Sequence, residues 1–269
     1  MIWNPSWFNY NKIIILMKKL ISILGSTGSV GLATLLIVNK KKGFFKPYIF
    51  IANKNFKLIC QQIEKYKPSI FIINDQDTFL KVSKKFKTKN IKIVNSFKKI
   101  KIIKKSDITI SAIPGIAGLL PTLKMTEKSN KILIANKESI ICGWNLIRKK
   151  ARNNKTKIIP IDSEHFSILT LIKNENINSI KKIILTASGG PFLNFTLNKL
   201  KKIKPNEALR HPKWKMGKKI TIDSSNLMNK IFELVEAQKL FNLPSHKIDI
   251  VIHPNSLVHA ILELKNGLK

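Results

Sequence analysis

Two carboxylates stand one residue apart in the run "PIDSEH": Asp162 and Glu164 flank Ser163, and His165 follows. The chain carries only 15 acids in 269 residues, so such a pair at the end of an apolar run needs a reason. In an extended strand, residues i and i+2 share a face. That reading predicts Asp162 and Glu164 side by side, with Ser163 opposed. Adjacent carboxylates repel, so they require a cation or a shared proton. Ligands that are all oxygen suit Mg²⁺ or Mn²⁺. A third ligand must come from elsewhere. Asn226, Asn229, Lys230 and Glu233 fall at i, i+3, i+4 and i+7 and form one stripe of a predicted helix, with Leu227, Met228, Ile231, Leu234 and Val235 opposite. Alone, such a stripe faces water; beside the acidic pair, it offers Glu233 as the third carboxylate.

A second group of residues points to a nucleotide. "GSTGSVG" places Gly25, Gly28 and Gly31 between an apolar run and a helical one. Glycines there let backbone N–H groups approach a pyrophosphate, and the helix N-terminus adds partial positive charge. The spacing is GxxGxxG, a variant of the common fingerprint, and a plain glycine turn is the alternative reading. The next apolar run ends in "IANKNF", with Asn53, Lys54 and Asn55 where an NAD site usually has an acid. A lysine there suits a 2′-phosphate, so NADP is expected, although lysine is common throughout this chain. "TASGGPF" sets Ser188 beside two glycines, as a phosphate cradle or a simple turn. "HPKWKMG" holds His211 and Trp214, the latter a packed anchor or a cover over a ligand. His165, His246 and His259 are read as structural.

These residues need a scaffold. From Lys19, short β-rich runs ("LISIL", "PYIFIA", "SIFIIN", "IKIV", "DITISAI", "KILIA", "TKIIPI", "KKIILTA") alternate with helical ones, including one beginning near Leu119. This rhythm implies a parallel sheet with helices on both faces. A long Gly-, Pro- and Lys-rich segment after Ala187 reads as a lid. The clearest amphipathic helix begins at Ser224, and "KIDIVI" and "VHAILEL" read as further strands. Asn266-Gly267 is a hairpin signal close to the last residue.

Composition narrows the class. A hydrophobic content of 44% indicates a globular chain. Two cysteines, Cys60 and Cys142, without metal-ligand spacing indicate a reducing compartment, and a cytoplasmic location is expected. The net charge of +34 invites a nucleic-acid reading, but only three of 49 basic residues are arginine and the lysines are scattered. No specific nucleic-acid partner is expected, beyond salt-sensitive sticking to polyanions. No apolar run reaches the ~20 residues of a membrane helix, so no membrane partner is expected. Residues 1–18 read as an N-terminal extension, with Met17 as an alternative start.

The motifs "GSTGSVG", "IANKNF", "GIAGLLPT", "IANKES", "PIDSEH", "LTASGGPF", "HPKWKMG", "IDSSNLMNK" with "FELVEA", and "IHPNS" run in one order from Lys19 to about Gly267. Together they closely resemble the 1-deoxy-D-xylulose 5-phosphate reductoisomerase family. The resemblance implies an α/β protein. An N-terminal Rossmann-like, doubly wound parallel NADP-binding domain (19–150) would be followed by an α/β catalytic domain with a flexible lid loop (151–269).

It also implies roles. Thr27, Gly28, Ser29 and Val30 would hold the NADPH pyrophosphate, and Asn53, Lys54 and Asn55 its 2′-phosphate end. Asn136, Glu138 and Gly217 would complete the NADPH site. Asp162, Glu164 and Glu233 would bind Mg²⁺, Mn²⁺ or Co²⁺ and, with Lys137 and His211, form the catalytic set. Lys137, Ser163, Glu164, Ser188, His211, Trp214, Ser224, Asn229, Lys230 and Glu233 would contact the sugar-phosphate substrate, with Trp214 and Met216 covering it. The implied reaction is metal-assisted rearrangement of 1-deoxy-D-xylulose 5-phosphate and hydride reduction to 2-C-methyl-D-erythritol 4-phosphate, a step of non-mevalonate isoprenoid precursor synthesis, in a homodimer. Two departures stand out: Asn53 replaces the family's usual glycine, and the family's further helical C-terminal domain has no counterpart in these residues. The alternatives are another NADP dehydrogenase on the same first domain, and an inactive or fragmentary relative that retains only nucleotide binding.

Overall fold

A computed structural model describes residues 18–211, 213 and 217–269. The expected extension up to Met17, and the positions Trp214 and Met216, lie outside the described residues.

The first layer is a seven-stranded, all-parallel sheet in the order β4-β3-β2-β1-β5-β6-β7. Its strands are β1 (Lys19–Leu24), β2 (Phe45–Ala52), β3 (Ile70–Ile73), β4 (Lys92–Val94), β5 (Ser106–Ser111), β6 (Ser129–Ile134) and β7 (Lys157–Pro160). Period-two alternation sorts the side chains to opposite faces. Ile21, Ile23, Phe50, Ala52, Phe71 and Ile73 enter one core. Leu24, Ile49, Ile51, Ile70 and Ile72 enter the other. Helices α1 (Ser29–Lys40), α2 (Phe56–Tyr66) and α3 (Gln76–Lys85) cover the first face through Leu35, Val38, Ile59, Ile63 and Val82. Helices α4 (Leu119–Glu127) and α5 (Lys137–Asn154) cover the second through Met125, Ile140 and Ile147. With both faces covered, the strands are mostly apolar, and their buried hydroxyls pair with one another, Ser22 with Ser106 and Thr109 with Ser129, each at 2.7 Å. The sheet runs to Pro160, ten residues beyond the expected boundary at 150.

The strand order reverses at β1, which pairs with β2 on one side and β5 on the other. Ligands of open α/β sheets bind at this crevice, outside the carboxyl ends of the strands.

The second layer is a mixed three-stranded sheet in the order β10-β8-β9. β8 (Ile180–Ala187) pairs in parallel with β9 (Ile248–Ile252) and antiparallel with β10 (Ala260–Leu264). Helices α6 (Ser163–Leu171) and α10 (Met228–Phe241) pack on it around Ile168, Ala237, Ile183 and Leu185. The expected lid segment contains two one-turn helices, α7 (Leu197–Leu200) and α8 (Pro205–Ala208), and ends at α9 (Lys218–Ser225).

Two local expectations fail. The acidic pair is not on a strand: β7 ends its ladder at Pro160, Asp162 is the N-cap of α6, and Ser163 and Glu164 form its first turn. A helix N-terminus carries partial positive charge and accepts carboxylates where a strand end offers none. The single amphipathic helix from Ser224 is also broken. Leu227 adopts φ 64°, separating α9 from α10, and Asn226 turns its side-chain oxygen to the Met228 N–H at 3.1 Å.

Candidate active site

The nucleotide half is built by the β1–α1 turn. Gly28 caps α1 without a side-chain hydrogen bond, so the first turn of the helix keeps its N–H groups for a ligand. A Cβ on Gly31 would lie 2.3 Å from the Gly25 carbonyl oxygen, so glycine is what lets the helix approach the loop. Thr27 is half-buried, Gly28 and Ser29 are exposed at the turn, and Val30 packs on the first core. Asn53 and Lys54 are exposed just past β2 on the same edge, and Lys54 lies 3.9 Å from Asp75. Asn55 has a local task as well: it caps α2, accepting from the Leu58 N–H at 3.1 Å.

Across the switch point, Asn136 caps α5. Its Oδ1 accepts from the Ser139 N–H at 2.5 Å, and its Nδ2 donates to the carbonyls of Ile113 and of Gly115, the latter at 2.9 Å. The residue thus locks the β5–α4 loop against the start of α5. Glu138, two residues on, lies 2.9 Å from Lys219. Burial pushes its carboxyl up, but the hydrogen bond and charge of Lys219 outweigh that and hold it below the usual range.

The chemical half gathers on the N-termini of α5 and α6 and on one face of α10. Lys137, the first residue of α5, places its ammonium 3.0 Å from Asp162 Oδ2, 3.1 Å from Glu233 Oε1 and 2.8 Å from Asn229 Oδ1. Lys230 lies 2.7 Å from Glu164 Oε1 and pairs with Glu233 Oε2. Asn229 donates to Glu233 Oε1 at 2.5 Å, and Ser163 Oγ to Glu164 Oε2 at 2.7 Å. Lys230 and Glu233 are 5% and 2% exposed, while Met228 and Ile231 on the other side of α10 are 39% and 51% exposed. The predicted faces are therefore inverted at the start of this helix. Charges can be buried here because each carboxylate meets an ammonium.

Electrostatics sharpen the arrangement. Burial raises Lys137's desolvation cost, but Asp162 and Glu233 more than compensate and hold its ammonium protonated far above the usual range. Asp162 is buried, which would raise its pKa; the neighbouring His165 and the charge of Lys137 hold it well below the ordinary value. Glu164 moves the other way, raised by burial and by the charges of Glu233 and Asp162, with Lys230 opposing. Carboxylate oxygens of Asp162, Glu164 and Glu233 lie within 4.8 Å of one another. Oxygens at opposite corners of a magnesium shell stand about 4.2 Å apart. A divalent cation held by the three would relieve the repulsion felt by Glu164. The donor set, all oxygen, fits Mg²⁺ or Mn²⁺.

Beneath the acids, His165 is fully buried. Its Nε2 lies 2.9 Å from the Glu233 carbonyl oxygen, and Nδ1 lies 3.7 Å from Asp162 and 3.5 Å from Glu236. Burial lowers its pKa, but the adjacent carboxylates of Asp162 and Glu236 win and lift it to about 9. Burial lifts the Glu236 carboxyl to about 7.

Asp162, Ser163, Glu164, Asn229, Lys230 and Glu233 open onto a cavity of about 350 Å³ that is closed opposite by Ser188, His211 and Ser224. Ser188 Oγ lies 3.1 Å from His211 Nε2, and the Lys213 N–H donates to His211 Nδ1 at 3.2 Å, so Nε2 carries the ring proton toward the serine. Burial lowers the His211 pKa, keeping the ring neutral. Gly190, at φ 73°, seats the "SGG" turn on α9: a Cβ there would lie 2.5 Å from the Ser224 carbonyl oxygen. Ser224 hydrogen-bonds the Ile220 carbonyl at 2.7 Å. Gly217 caps α9 at the end of the lid segment.

The structure brings Asp162, Ser163, Glu164, Ser188, His211, Ser224, Asn229, Lys230 and Glu233 to one cavity, with Lys137 bonded to its acids, and sets Thr27 to Val30, Asn53 to Asn55, Asn136 and Glu138 at the carboxyl edge of the parallel sheet, while Gly217 stands apart at the start of α9. Sequence reasoning missed His259 and Ser256, which also line the cavity. The "IHPNS" run was a signal for this segment, but nothing in its local pattern shows that β9 sets its start beside the end of β8.

A Rossmann-like sheet whose α5 delivers a lysine into a three-carboxylate cluster defines an α/β protein of the dinucleotide-binding, metal-site class. Family comparison narrows it. Residues 21–143 match the model described as 1-deoxy-D-xylulose 5-phosphate reductoisomerase, and residues 158–241 match that of the 1-deoxy-D-xylulose 5-phosphate reductoisomerase C-terminal domain. The chain is 46% identical over 256 residues to the 1-deoxy-D-xylulose 5-phosphate reductoisomerase of Pelagibacter ubique (strain HTCC1062), covering 94% of this chain and 66% of the relative. It is 44% identical over 266 residues to that of Buchnera aphidicola subsp. Schizaphis graminum (strain Sg), covering 93% and 67%. A crystal structure of DOX-P reductoisomerase in complex with NADPH, fosmidomycin and magnesium superposes with a TM-score of 0.86 at 33% identity, over 93% of this chain and 65% of that one. The enzyme from Zymomonas mobilis in complex with NADPH gives 0.83 at 30% identity, over 93% and 65%. The chain belongs to the 1-deoxy-D-xylulose 5-phosphate reductoisomerase family, and it spans about two thirds of the length of the curated relatives it matches.

Proposed function

We propose that this chain carries out the NADPH- and divalent-metal-dependent rearrangement and reduction of 1-deoxy-D-xylulose 5-phosphate to 2-C-methyl-D-erythritol 4-phosphate. The observation that carries the reading is the convergence of Asp162, Glu164 and Glu233 on one cavity, with Lys137 reaching them from the nucleotide-binding sheet.

Asp162, Glu164 and Glu233 would hold the cation, which supplies Lewis-acid stabilisation of negative charge on substrate oxygens. NADPH, held by Thr27, Gly28, Ser29, Val30, Asn53, Lys54, Asn55, Asn136, Glu138 and Gly217, supplies the hydride. Ser188, Ser224, Asn229 and Lys230 bind the phosphate and hydroxyl groups of the substrate. His211, neutral and donating through Nε2, orients it from the cavity wall, with Ser163 at the rim. Lys137 keeps the carboxylates ionised and ordered, and the expected part of Trp214, which lies outside the described residues, would be to exclude water. In this reading the NADPH domain, expected over 19–150, extends through β7 to Pro160, and the catalytic domain follows it to residue 269. The protein works as a cytoplasmic homodimer that supplies an isoprenoid precursor, and the metal is Mg²⁺, Mn²⁺ or Co²⁺.

The test is NADPH oxidation by the purified chain with 1-deoxy-D-xylulose 5-phosphate and Mn²⁺, beside Glu164→Gln. Turnover that requires metal and disappears in the variant supports the reading. Folded protein that binds NADPH without turning it over would sink it in favour of a relative that retains only nucleotide binding.

A further inference from the structure

Lys219 has no part in the roles above, yet its ammonium is among the most connected on the surface of the site. It lies 2.9 Å from Glu138 Oε1, 2.6 Å from Asp223 Oδ2 and 5.2 Å from the centroid of the Phe232 ring. These partners belong to three helices: Glu138 to the first turn of α5, Asp223 to α9 one turn beyond Lys219, and Phe232 to α10. Glu138 directly follows Lys137, whose ammonium enters the carboxylate cluster. α9 begins just after its N-cap Gly217, where the lid segment ends, and its Ile220 and Ser224 line the cavity. One side of α9 thus faces the substrate cavity while Lys219 ties the helix to the nucleotide-binding sheet.

We propose that Lys219 is a positioning residue that sets α9 against α5 and so couples the NADPH half of the site to its substrate half. This rests on the functional reading above for the identity of the two ligands. The physical case is geometric. Glu138 and Asp223 both lie within 3 Å of one ammonium. Without it, two half-buried carboxylates face each other and repel, and the nearest freedom is for α9 to move away from α5. That movement displaces Gly217 from the cofactor and Ser224 from the cavity together. Lys219 is itself 48% exposed, so the bridge contributes little to global stability; its role is to fix direction.

Lys219→Met and Lys219→Arg, in the full chain, test this by direct NADPH titration, by KM and kcat for 1-deoxy-D-xylulose 5-phosphate, and by thermal melting. Lys219→Met is expected to weaken NADPH binding about fivefold and raise KM about tenfold, with kcat within about threefold and Tm within about 2 °C. Lys219→Arg, whose fork can serve both carboxylates, is expected to restore both to within about twofold. Unchanged NADPH affinity in Lys219→Met overturns the proposal. So does a loss that tracks a fall in Tm and is not rescued by arginine. A wild-type chain that binds NADPH without turning over the sugar phosphate defeats only the functional reading, since the NADPH titrations still decide this one. A wild-type chain that fails to bind NADPH overturns both.

Discussion

Lys137 Nζ lies 3.0 Å from Asp162 Oδ2, joining the first residue of the helix after β6 to the N-cap of the helix after β7. The same ammonium reaches Glu233 on α10. One lysine thus holds together carboxylates from two otherwise separate elements, at a point where all three side chains are largely removed from water.

Lys137→Met is therefore expected to destabilise the metal-free protein by about 3–5 kcal/mol, the cost of leaving buried carboxylates uncompensated. Urea unfolding with and without Mg²⁺ checks it. The deficit should shrink when the cation is present, because the ion takes over the charge balance.

Glu164→Gln should behave oppositely in the two states. Burial and the neighbouring charges of Glu233 and Asp162 disfavour the Glu164 carboxylate. Neutralising it should leave the metal-free Tm unchanged or raise it by about 1–3 °C. The rise in Tm that Mn²⁺ produces in the wild type should largely vanish in the variant. A full Mn²⁺ shift in Glu164→Gln would remove this carboxylate from the cation site.

The pH dependence has a defined sign. Glu236 holds its proton more tightly folded than unfolded, with its carboxyl raised to about 7, and His165 likewise, raised to about 9. Each contributes stability that is present at low pH and lost as pH rises: between about 4.5 and 7 for Glu236, and between about 6.5 and 9 for His165. Glu236→Gln stays neutral throughout. Its Tm relative to wild type should therefore climb between about pH 5 and about pH 8 in metal-free buffer. A difference that stays flat with pH contradicts the assignment.

Gly31→Ala probes the nucleotide turn. The new methyl would meet the Gly25 carbonyl oxygen at 2.3 Å. Because that contact is backbone, the turn must shift, at a cost of about 1–3 kcal/mol. NADPH titration should show at least a tenfold loss of affinity, with metal-induced stabilisation preserved because the carboxylate cluster is far along the chain.

Much of this fold was readable in local pattern. The apolar runs that end at Leu24, Ala52, Ile73 and Ser111 have the length and β-branched content of strands buried on both faces, and the glycine turn before Ser29 announces a helix opening toward a ligand. Such features depend on neighbours within a few residues, so the sequence by itself determined the order of elements, the parallel sheet and the identity of the acids. It could not determine which face of a charged helix is buried. Lys230 and Glu233 resemble a solvated stripe, and Met228 and Ile231 resemble a core face, until charges from α5 and α6 arrive to compensate the first pair. It also misassigned the "DSE" run, because an acidic pair after a strand fits either a strand end or a helix N-terminus, and only the end of the β7 ladder at Pro160 chooses between them. The tertiary structure decided where Lys137, His259 and Lys219 lie. Each stands beside residues brought together by packing between elements distant in the chain, and no local periodicity encodes that convergence.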